Sequence, residues 1–222
     1  MRHVVWDWNG TLLDDLPLVV TAVNVVMADA GYDPVTAADY RDNYTRPVHV
    51  FYERLFGRPI GDAEWPHLDD VFHRAYAAAL DQARLAPDAH DALDAVAAAG
   101  ASQSLLSMYR DHELLPLVER FGLTARFVRV DGLRGAGGGT KAPYLASHLE
   151  RVEADLARQL ARGVPIRDLV VVGDALDDAV AAAHVGARCV LVDSGSHPRA
   201  ELETARVPIA DGLVEALELA GL

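Results

Sequence analysis

The sequence has few of the features that stabilise secreted proteins or anchor membrane proteins. It contains a single cysteine, Cys189, so no internal disulfide can form, which is typical of proteins from a reducing compartment. No apolar run approaches the ~20 residues needed to span a bilayer. The first residues place Asp7 and a strand pattern where a signal peptide would have its apolar region. We therefore predict a cytoplasmic protein with no membrane partner.

Positive charge is also scarce. The chain of 222 residues has 20 Lys and Arg residues against 33 Asp and Glu residues, which gives a formal net charge of −13. This charge disfavours nucleic acid and anionic membrane surfaces as partners. Only one of the basic residues is a lysine, Lys141. An anionic substrate would therefore need a local cluster of positive charge or a bound metal ion.

The order of the predicted elements indicates an α/β fold. Short apolar strands alternate with helical patterns, which predicts βαβ units and a parallel sheet. A glycine-rich stretch at 131–140 is predicted as a loop. The predicted strands are 3–6, 101–107, 126–130, 169–172 and 188–192, with a further short strand at 207–209.

The stretch between the first two strands has a different pattern. Apolar residues recur at helical spacing over 16–30, and shorter helical pieces continue to about residue 86. This part of the sequence shows no alternating strand pattern. We predict a small α-helical cap domain, 16–86, inserted after the first strand of a Rossmann-like core formed by 1–15 and 87–222.

Polar residues follow four of the predicted strands. Asp7 comes directly after the first strand, and Ser107 ends the second. Lys141 follows the glycine-rich loop, and Asp174 and Asp178 follow the apolar strand at 169–172. Because ligands in open parallel α/β sheets bind outside the carboxyl ends of the strands, we expect these side chains to share one site.

These residues are similar in type, order and spacing to the four motifs of a known superfamily. Residues 7–14 read Asp-Trp-Asn-Gly-Thr-Leu-Leu-Asp. This segment resembles the first motif of the haloacid dehalogenase superfamily, whose phosphatases read Asp-x-Asp-Gly-Thr-x-x-Asp. Ser107, Lys141 and the pair Asp174 and Asp178 match the three later motifs. The resemblance covers essentially the whole chain, is to the phosphoglycolate phosphatase-like group, and implies a hydrolase of small phosphorylated metabolites.

The resemblance implies a magnesium site. Mg²⁺ would bind one carboxylate oxygen of Asp7, the backbone carbonyl of Asn9 and a carboxylate oxygen of Asp174. Asp178 would support the metal ion or orient Lys141. Hard oxygen ligands of this kind are those that Mg²⁺ prefers, and the ion would compensate the charge of a phosphoryl group.

The resemblance also implies how the reaction proceeds. Ser107 and Lys141 would hold phosphoryl oxygens while Asp7 attacks phosphorus in line. The resulting aspartyl-phosphate would then be cleaved by water.

Asn9 departs from the pattern of the family. The phosphatases have an aspartate at this position, which protonates the leaving oxygen and later deprotonates the attacking water. An amide cannot carry a proton at neutral pH, and such help is typically worth about 10²–10⁴-fold in rate. We therefore expect slow turnover of alkyl phosphates and slow hydrolysis of the aspartyl-phosphate.

Three functions are compatible with an asparagine at position 9. Asn9 could also have been introduced by engineering to trap a state. The first is a phosphatase that uses a good leaving group, or an acid from the cap or the substrate. In the cap, Arg46, His49 and Tyr52 fall at helical spacing and could face the site as substrate residues. The second is a dehalogenase, since halide leaves without a proton, although the family's dehalogenases do not use the metal that the acidic pair predicts. The third is a phospho-ligand-binding or regulatory protein with little turnover. The substrate and the oligomeric state are left open.

Overall fold

The protein is built around one parallel β-sheet. The computed structural model describes residues 1–45, 47–134, 139–161, 163 and 165–222. Within these ranges the strands are β1 (Arg2–Trp6), β2 (Leu13–Asp14), β3 (Arg84–Leu85), β4 (Ser102–Arg110), β5 (Val130–Leu133), β6 (Asp168–Gly173), β7 (Arg188–Val192) and β8 (Ile209–Ala210). Six of these described strands pair in parallel in the order β5-β4-β1-β6-β7-β8.

Strand β1 lies at the centre of the sheet, between β4 and β6. Val4 and Trp6 pack on one face of the sheet and Val5 packs on the other. All three side chains are buried, as expected for a parallel strand covered by helices on both sides. The backbone N–H of Asp7 still donates to the carbonyl of Val172 on β6, at 2.9 Å. Asp7 is therefore held at the carboxyl end of the central strands.

Helices cover both faces of this sheet, which confirms the predicted Rossmann-like α/β core. Side chains of α5, α6 and α10 pack on one face, and those of α7, α8 and α9 pack on the other. No helix in the described ranges is both long and apolar enough to cross a membrane. The helices are α1 (Leu16–Asp29), α2 (Ala37–Asn43), α3 (Val48–Phe56), α4 (Trp65–Ala79), α5 (Ala89–Ala98), α6 (Asp111–Arg120), α7 (Ala142–Gln159), α8 (Leu176–His184), α9 (Arg199–Leu202) and α10 (Leu213–Leu219).

Helices α1 to α4 form a packed group, which we call the helical module. It has an apolar cluster of its own, which includes Val26, Phe51 and Leu68. Leu18 and Tyr76, from α1 and α4, instead join the cluster that packs against the sheet. The module is thus attached to the core through one side of α1 and α4. The division into a cap at 16–86 and a core at 1–15 and 87–222 stays a prediction.

The chain enters and leaves the helical module through a pair of short strands that the sequence pattern did not predict. β2 and β3 are antiparallel, with Leu13 opposite Leu85 and Asp14 opposite Arg84. The backbone N–H of Ala86 extends this ladder to the carbonyl of Leu12, at 2.9 Å. Strands of two residues are too short to show an alternating pattern, and the expectation of no strand in this region is wrong for β3.

The position predicted for the third strand of the sheet is also wrong. The sequence pattern predicts a strand at 126–130 and a loop from residue 131. In the structure, residues 124–126 form a 3₁₀ turn, and β5 runs from Val130 to Leu133. Asp131 is the reason. Its carboxylate is buried within the strand, so the apolar pattern ends where the strand in fact continues.

Asp131 belongs to a buried polar network between the sheet and α7. Its Oδ2 lies 2.6 Å from His148 Nδ1 and accepts a hydrogen bond from Arg129 Nε at 2.7 Å. His148 Nε2 lies 2.8 Å from Ser104 Oγ, which is also 2.8 Å from His3 Nε2. Ser104, His148 and Asp131 are linked in the Ser-His-Asp order of a catalytic triad, but Ser104 and His148 are fully buried. The network therefore contributes to the core and not to catalysis.

We expect Asp131→Asn to lower the free energy of unfolding by about 2–4 kcal/mol, because it leaves buried donors of His148 and Arg129 facing an amide. Burial raises the pKa of Asp131, but hydrogen bonds from these two partners outweigh it and hold the pKa well below its usual range. Denaturant unfolding measures the change. Asp70→Asn, which removes an exposed ion pair with Arg74, is the control and should cost less than about 0.5 kcal/mol. Equal losses in the two variants would contradict this account of the network.

The same network predicts a loss of stability in mild acid. Burial, together with the charge of His148, lowers the pKa of His3 from 6.5 to about 3. Below its ordinary pKa the histidine takes up a proton in the unfolded chain and not in the folded one, so stability falls as the pH falls. We expect His3 to account for about 1 kcal/mol between pH 7 and pH 5.5. Unfolding free energies at both pH values should show a smaller loss in His3→Gln than in the parent protein, and parallel losses would refute the shift.

Candidate active site

The polar residues predicted from the motifs lie at the carboxyl ends of the central strands. Asp7 follows β1 directly, and Asp174 follows β6. Lys141 immediately precedes α7, and Asp178 lies in the first turn of α8. Helices α7 and α8 both begin at this end of the sheet, because each follows a parallel strand or its loop. Contacts among these four side chains bring them into one site.

Lys141 lies between two carboxylates. Its Nζ is 3.0 Å from Asp7 Oδ1 and 2.6 Å from Asp178 Oδ1. Its backbone N–H donates to Asp177 Oδ2 at 2.8 Å, which joins the start of α7 to the start of α8. Burial lowers the pKa of Lys141, but Asp178 and Asp7 outweigh this effect and raise it above its usual range. The lysine therefore stays charged although it is only 3% exposed.

Three carboxylates converge around this lysine. Oxygens of Asp7, Asp174 and Asp178 lie within 4.8 Å of one another. Burial, opposed by Lys141, raises the pKa of Asp7 to about 6. Burial and the charges of Asp7 and Asp178 raise the pKa of Asp174 well above its usual range. These pKa values are raised by burial and because three carboxylates share the positive charge of one lysine. A cluster of hard oxygen donors that is short of positive charge fits a divalent cation such as Mg²⁺.

Two glycines allow the chain to pass close to Asp174. Gly10 has a φ of +69°, and a Cβ at this position would lie 2.4 Å from Asp174 Oδ2. A Cβ on Gly195 would lie only 1.7 Å from the same oxygen. Thr11 Oγ1 donates to Asp174 Oδ1 at 3.4 Å. The carboxylate of Asp174 is therefore confined between the loop after β1 and the loop after β7.

Ser107 lies inside β4, which continues to Arg110, and not at the end of the strand as the sequence predicts. Its side chain is buried, and its Oγ accepts a hydrogen bond from the backbone N–H of Tyr109 at 3.0 Å. A serine hydroxyl has one hydrogen to donate, and this contact does not use it. Ser107 can therefore still donate to an anion.

The side chain of Asn9 faces two residues that the sequence analysis missed. Asn9 Nδ2 donates to Asp15 Oδ2 at 2.8 Å and to the hydroxyl of Tyr76 at 3.0 Å. The Tyr76 hydroxyl donates to the same Asp15 oxygen at 2.7 Å. Asp15 lies at the start of α1, where a carboxylate is usually interpreted as a helix cap, so its type and position gave no separate signal. Tyr76 lies 61 residues from Asp15, and no local pattern relates the two.

The predicted substrate residues of the cap make their described contacts inside the helical module. The ring of His49 lies 6.0 Å from that of Trp65. Tyr52 is 1% exposed and packs against Phe51. Arg46 lies outside the described residues. A role of these three residues in substrate binding stays a prediction.

Helix α2 of the helical module contacts the loop that follows β7. Arg41 donates through Nε to the carbonyl of Gly195 at 3.0 Å and through a second nitrogen to that of Ser194 at 3.1 Å. The hydroxyl of Tyr40 donates to Ser196 Oγ at 3.1 Å. The helical module is thus bonded directly to the loop that confines Asp174.

Solved structures share this fold over nearly their whole length. A predicted phosphoglycolate phosphatase from Haemophilus somnus superposes with a TM-score of 0.74 at 17% identity, covering 99% of this chain and 97% of that chain. A haloacid dehalogenase-like family hydrolase from Streptococcus pneumoniae superposes with a TM-score of 0.73 at 15% identity, covering 98% and 97%. At such identities the likeness shows the fold alone.

Curated relatives are similar in sequence as well. Phosphoglycolate phosphatase of Synechococcus elongatus is 28% identical over 208 residues, which cover 92% of this chain and 90% of that protein. The enzyme of the same name from Agrobacterium fabrum is 26% identical over 208 residues, which cover 90% and 84%. Fold and relatives together define the class of this protein, which is a phosphatase-like hydrolase.

A family model narrows this class. The model described as haloacid dehalogenase-like hydrolase matches residues 1–186, a range that contains the acidic cluster and Lys141. The chain therefore belongs to the family of haloacid dehalogenase-like hydrolases, and the resemblance seen in the sequence motifs is confirmed.

We expect Gly195→Ala to distort the site, because the new methyl group would overlap the carboxylate of Asp174. Overpacking of this kind typically costs about 1–3 kcal/mol in unfolding free energy. Denaturant unfolding measures the loss. Gly61→Ala is the matched control, because a Cβ there meets nothing within 4 Å. Should both variants unfold at the same denaturant concentration, the close approach to Asp174 would be disproved.

Proposed function

We propose that this hydrolase cleaves small phosphate monoesters with Mg²⁺ bound, through a covalent aspartyl-phosphate on Asp7. The observation that carries the proposal is the placement of Lys141 between Asp7 and Asp178, beside a third buried carboxylate. A site of this charge suits a divalent cation together with an anionic group. Phosphoglycolate is the metabolite to test beside an aryl phosphate, because the curated relatives are named for it.

The metal ion has a clear set of candidate ligands. Asp7 and Asp174 would hold it through carboxylate oxygens, together with the backbone carbonyl of Asn9. Asp178 would support the ion or orient Lys141, to which it is bonded at 2.6 Å. When bound, Mg²⁺ would supply the charge compensation that lets a carboxylate approach a phosphoryl group.

The residues of the chain would perform the reaction in two displacements. Hydrogen bonds from Trp8 N–H, at 2.7 Å, and from Lys141 fix the carboxylate of Asp7 in one orientation. A carboxylate oxygen then bonds to phosphorus as the bond to the leaving oxygen breaks. Ser107 and Lys141 would hold the phosphoryl oxygens during this step. Water would then attack phosphorus, the bond to Asp7 would break, and a water proton would pass to the released phosphate.

Asn9 limits which leaving groups the site can serve. Its amide has no proton to give to a leaving oxygen at neutral pH. The leaving group would therefore take its proton from solvent, and weakly basic leaving groups should react fastest. This is why an aryl phosphate is the more sensitive first substrate and phosphoglycolate the more demanding one.

One alternative is favoured by a specific observation. The side-chain nitrogen of Asn9 donates hydrogen bonds to Asp15 and Tyr76, so the surroundings of position 9 fit an amide. A phospho-ligand-binding or regulatory protein could keep this arrangement with little turnover. The dehalogenase alternative has less support, because those enzymes work without the metal ion that a cluster of three carboxylates favours.

We also propose that residues 16–86 act as a cap on the core formed by 1–15 and 87–222. Three observations support this division. The helical module has its own apolar cluster, the strands β2 and β3 join its two ends, and α2 is bonded to the loop after β7. A cap in this position would close over the ends of the strands.

We expect Asp7→Asn to lower kcat for an aryl phosphate by at least about 10³-fold, because it removes the nucleophile. A chelator should abolish the activity of the parent protein, and added Mg²⁺ should restore it. Asp70→Asn, which changes an exposed carboxylate of α4 outside the motifs, is the control and should stay within about twofold of the parent. Unchanged activity in Asp7→Asn would overturn the mechanism.

Two further measurements distinguish the alternative functions. Tight binding of phosphate without turnover of any phosphate monoester would identify a binding protein. Release of halide from a haloacid in the presence of chelator would identify a dehalogenase.

A further inference from the structure

Asp15 occupies a position where a carboxylate ordinarily caps the N-terminus of a helix. It is the residue that precedes α1, and an aspartate there usually accepts a hydrogen bond from a backbone N–H of the first turn. In the described first turn of α1, the Asp15 side chain makes no such bond. The carboxylate is 5% exposed and turns toward the loop after β1, where its Oδ1 accepts from the Gly10 N–H at 2.8 Å. Its role is therefore to be sought in that loop.

Asp15 closes a ring of three hydrogen bonds with Asn9 and Tyr76. Its Oδ2 accepts from Asn9 Nδ2 at 2.8 Å and from the Tyr76 hydroxyl at 2.7 Å. The Tyr76 oxygen in turn accepts from Asn9 Nδ2 at 3.0 Å. A carboxylate can only accept, so the atom of Asn9 that faces Asp15 must be the nitrogen. The ring thus fixes which end of the amide points where.

This ring turns the NH₂ group of Asn9 toward Asp15 and Tyr76. The two acceptor atoms are only 2.7 Å apart, so both lie on the same side of Nδ2. The other polar atom of the amide, Oδ1, has no partner among the described residues. Oδ1 is therefore available to accept a hydrogen bond from a reacting group.

We propose that Asp15 is a positioning residue that, with Tyr76, holds Asn9 as a fixed acceptor for the hydroxyl group or water molecule that reacts. The proposal rests on the phosphatase function proposed above. Oδ1 orients a hydrogen of the reacting water without removing it. Positions 9 and 15 then form one donor–acceptor pair, in which the amide and the carboxylate can be exchanged, whereas two carboxylates can face each other only at the cost of taking up a proton.

The pair makes distinct predictions for the two single variants. Asn9→Asp places two carboxylates face to face at a spacing of about 2.8 Å, and the single hydroxyl hydrogen of Tyr76 can satisfy only one of them. In Asp15→Asn the single amide oxygen is needed to accept from the Gly10 N–H, so the NH₂ group at position 15 faces the Asn9 nitrogen. Asn9 must then turn over and present its nitrogen to the reacting group. Each single change breaks the pair in a different way.

The exchange variant, Asn9→Asp combined with Asp15→Asn, restores the pair with the roles reversed. The amide now at position 15 donates to the carboxylate now at position 9. This variant also brings a carboxylate to the position where it can carry a proton, which is typically worth about 10²-fold or more in rate. Reversion of Asn9 alone should not achieve this.

The experiment compares the parent protein, both single variants and the exchange variant. The readouts are the urea midpoint of unfolding and the kcat and KM for phosphoglycolate and an aryl phosphate, all with Mg²⁺. Tyr76→Phe tests the third member of the ring and should lower kcat by a fewfold. We expect Asn9→Asp to unfold at lower urea and to gain less than about threefold in kcat for phosphoglycolate. Asp15→Asn should lose about tenfold in kcat with KM within about twofold.

The exchange variant gives the decisive result. We expect it to recover the urea midpoint of the parent and to exceed the parent kcat for phosphoglycolate by about 10²-fold. The proposal is overturned if the effects of the two substitutions are additive, or if Asn9→Asp alone is as fast as the exchange variant. If the urea midpoints are coupled in this way but none of the four proteins hydrolyses either substrate, the proposed function fails while the pairing of positions 9 and 15 stands.

Discussion

The buried ion pairs of Lys141 are the interaction on which the arrangement of this site depends. An ammonium group in the protein interior is tolerated only when carboxylates close to it offset its lost hydration, and Asp7 and Asp178 do so at 3.0 and 2.6 Å. Each partner belongs to a different element. The lysine immediately precedes α7, Asp7 follows β1, and Asp178 lies in the first turn of α8. Satisfying one charge therefore brings three separate parts of the chain to the same point, and the third carboxylate, Asp174, leaves this point negative enough to favour a cation.

A second polar centre joins the helical module to this site. Tyr76 comes from α4, yet its hydroxyl is bonded to Asp15 and Asn9 in the loop after β1. On the other side, Arg41 of α2 is bonded to the loop that confines Asp174. The module therefore contacts the site through the segment that follows Asp7, the proposed nucleophile, and through the segment beside a candidate metal ligand. A shift of the helical module would therefore displace residues in both of these segments.

The sequence predicts those parts of the structure that depend on local pattern. The strands that carry Asp7 and Asp174 are short apolar runs that end on a carboxylate, so their positions and the shared site could be inferred. β5 was misplaced because Asp131 interrupts its apolar pattern, and that carboxylate is acceptable there only because the neighbouring Arg129 and, from α7, His148 bond to it. The partners of Asn9 were missed for the same reason. Hydrogen bonds between residues that are distant in the chain leave no periodic signal, whereas burial of a strand does.

The single lysine also has a consequence for the protein chemistry of this molecule. The Lys141 side chain is 3% exposed, and its amine is bonded to two carboxylates. Amine-directed reagents therefore do not reach a lysine side chain while the folded site is closed. The Lys141 amine becomes reactive when the site itself opens, so labelling of this residue counts openings of the site and not of the surface.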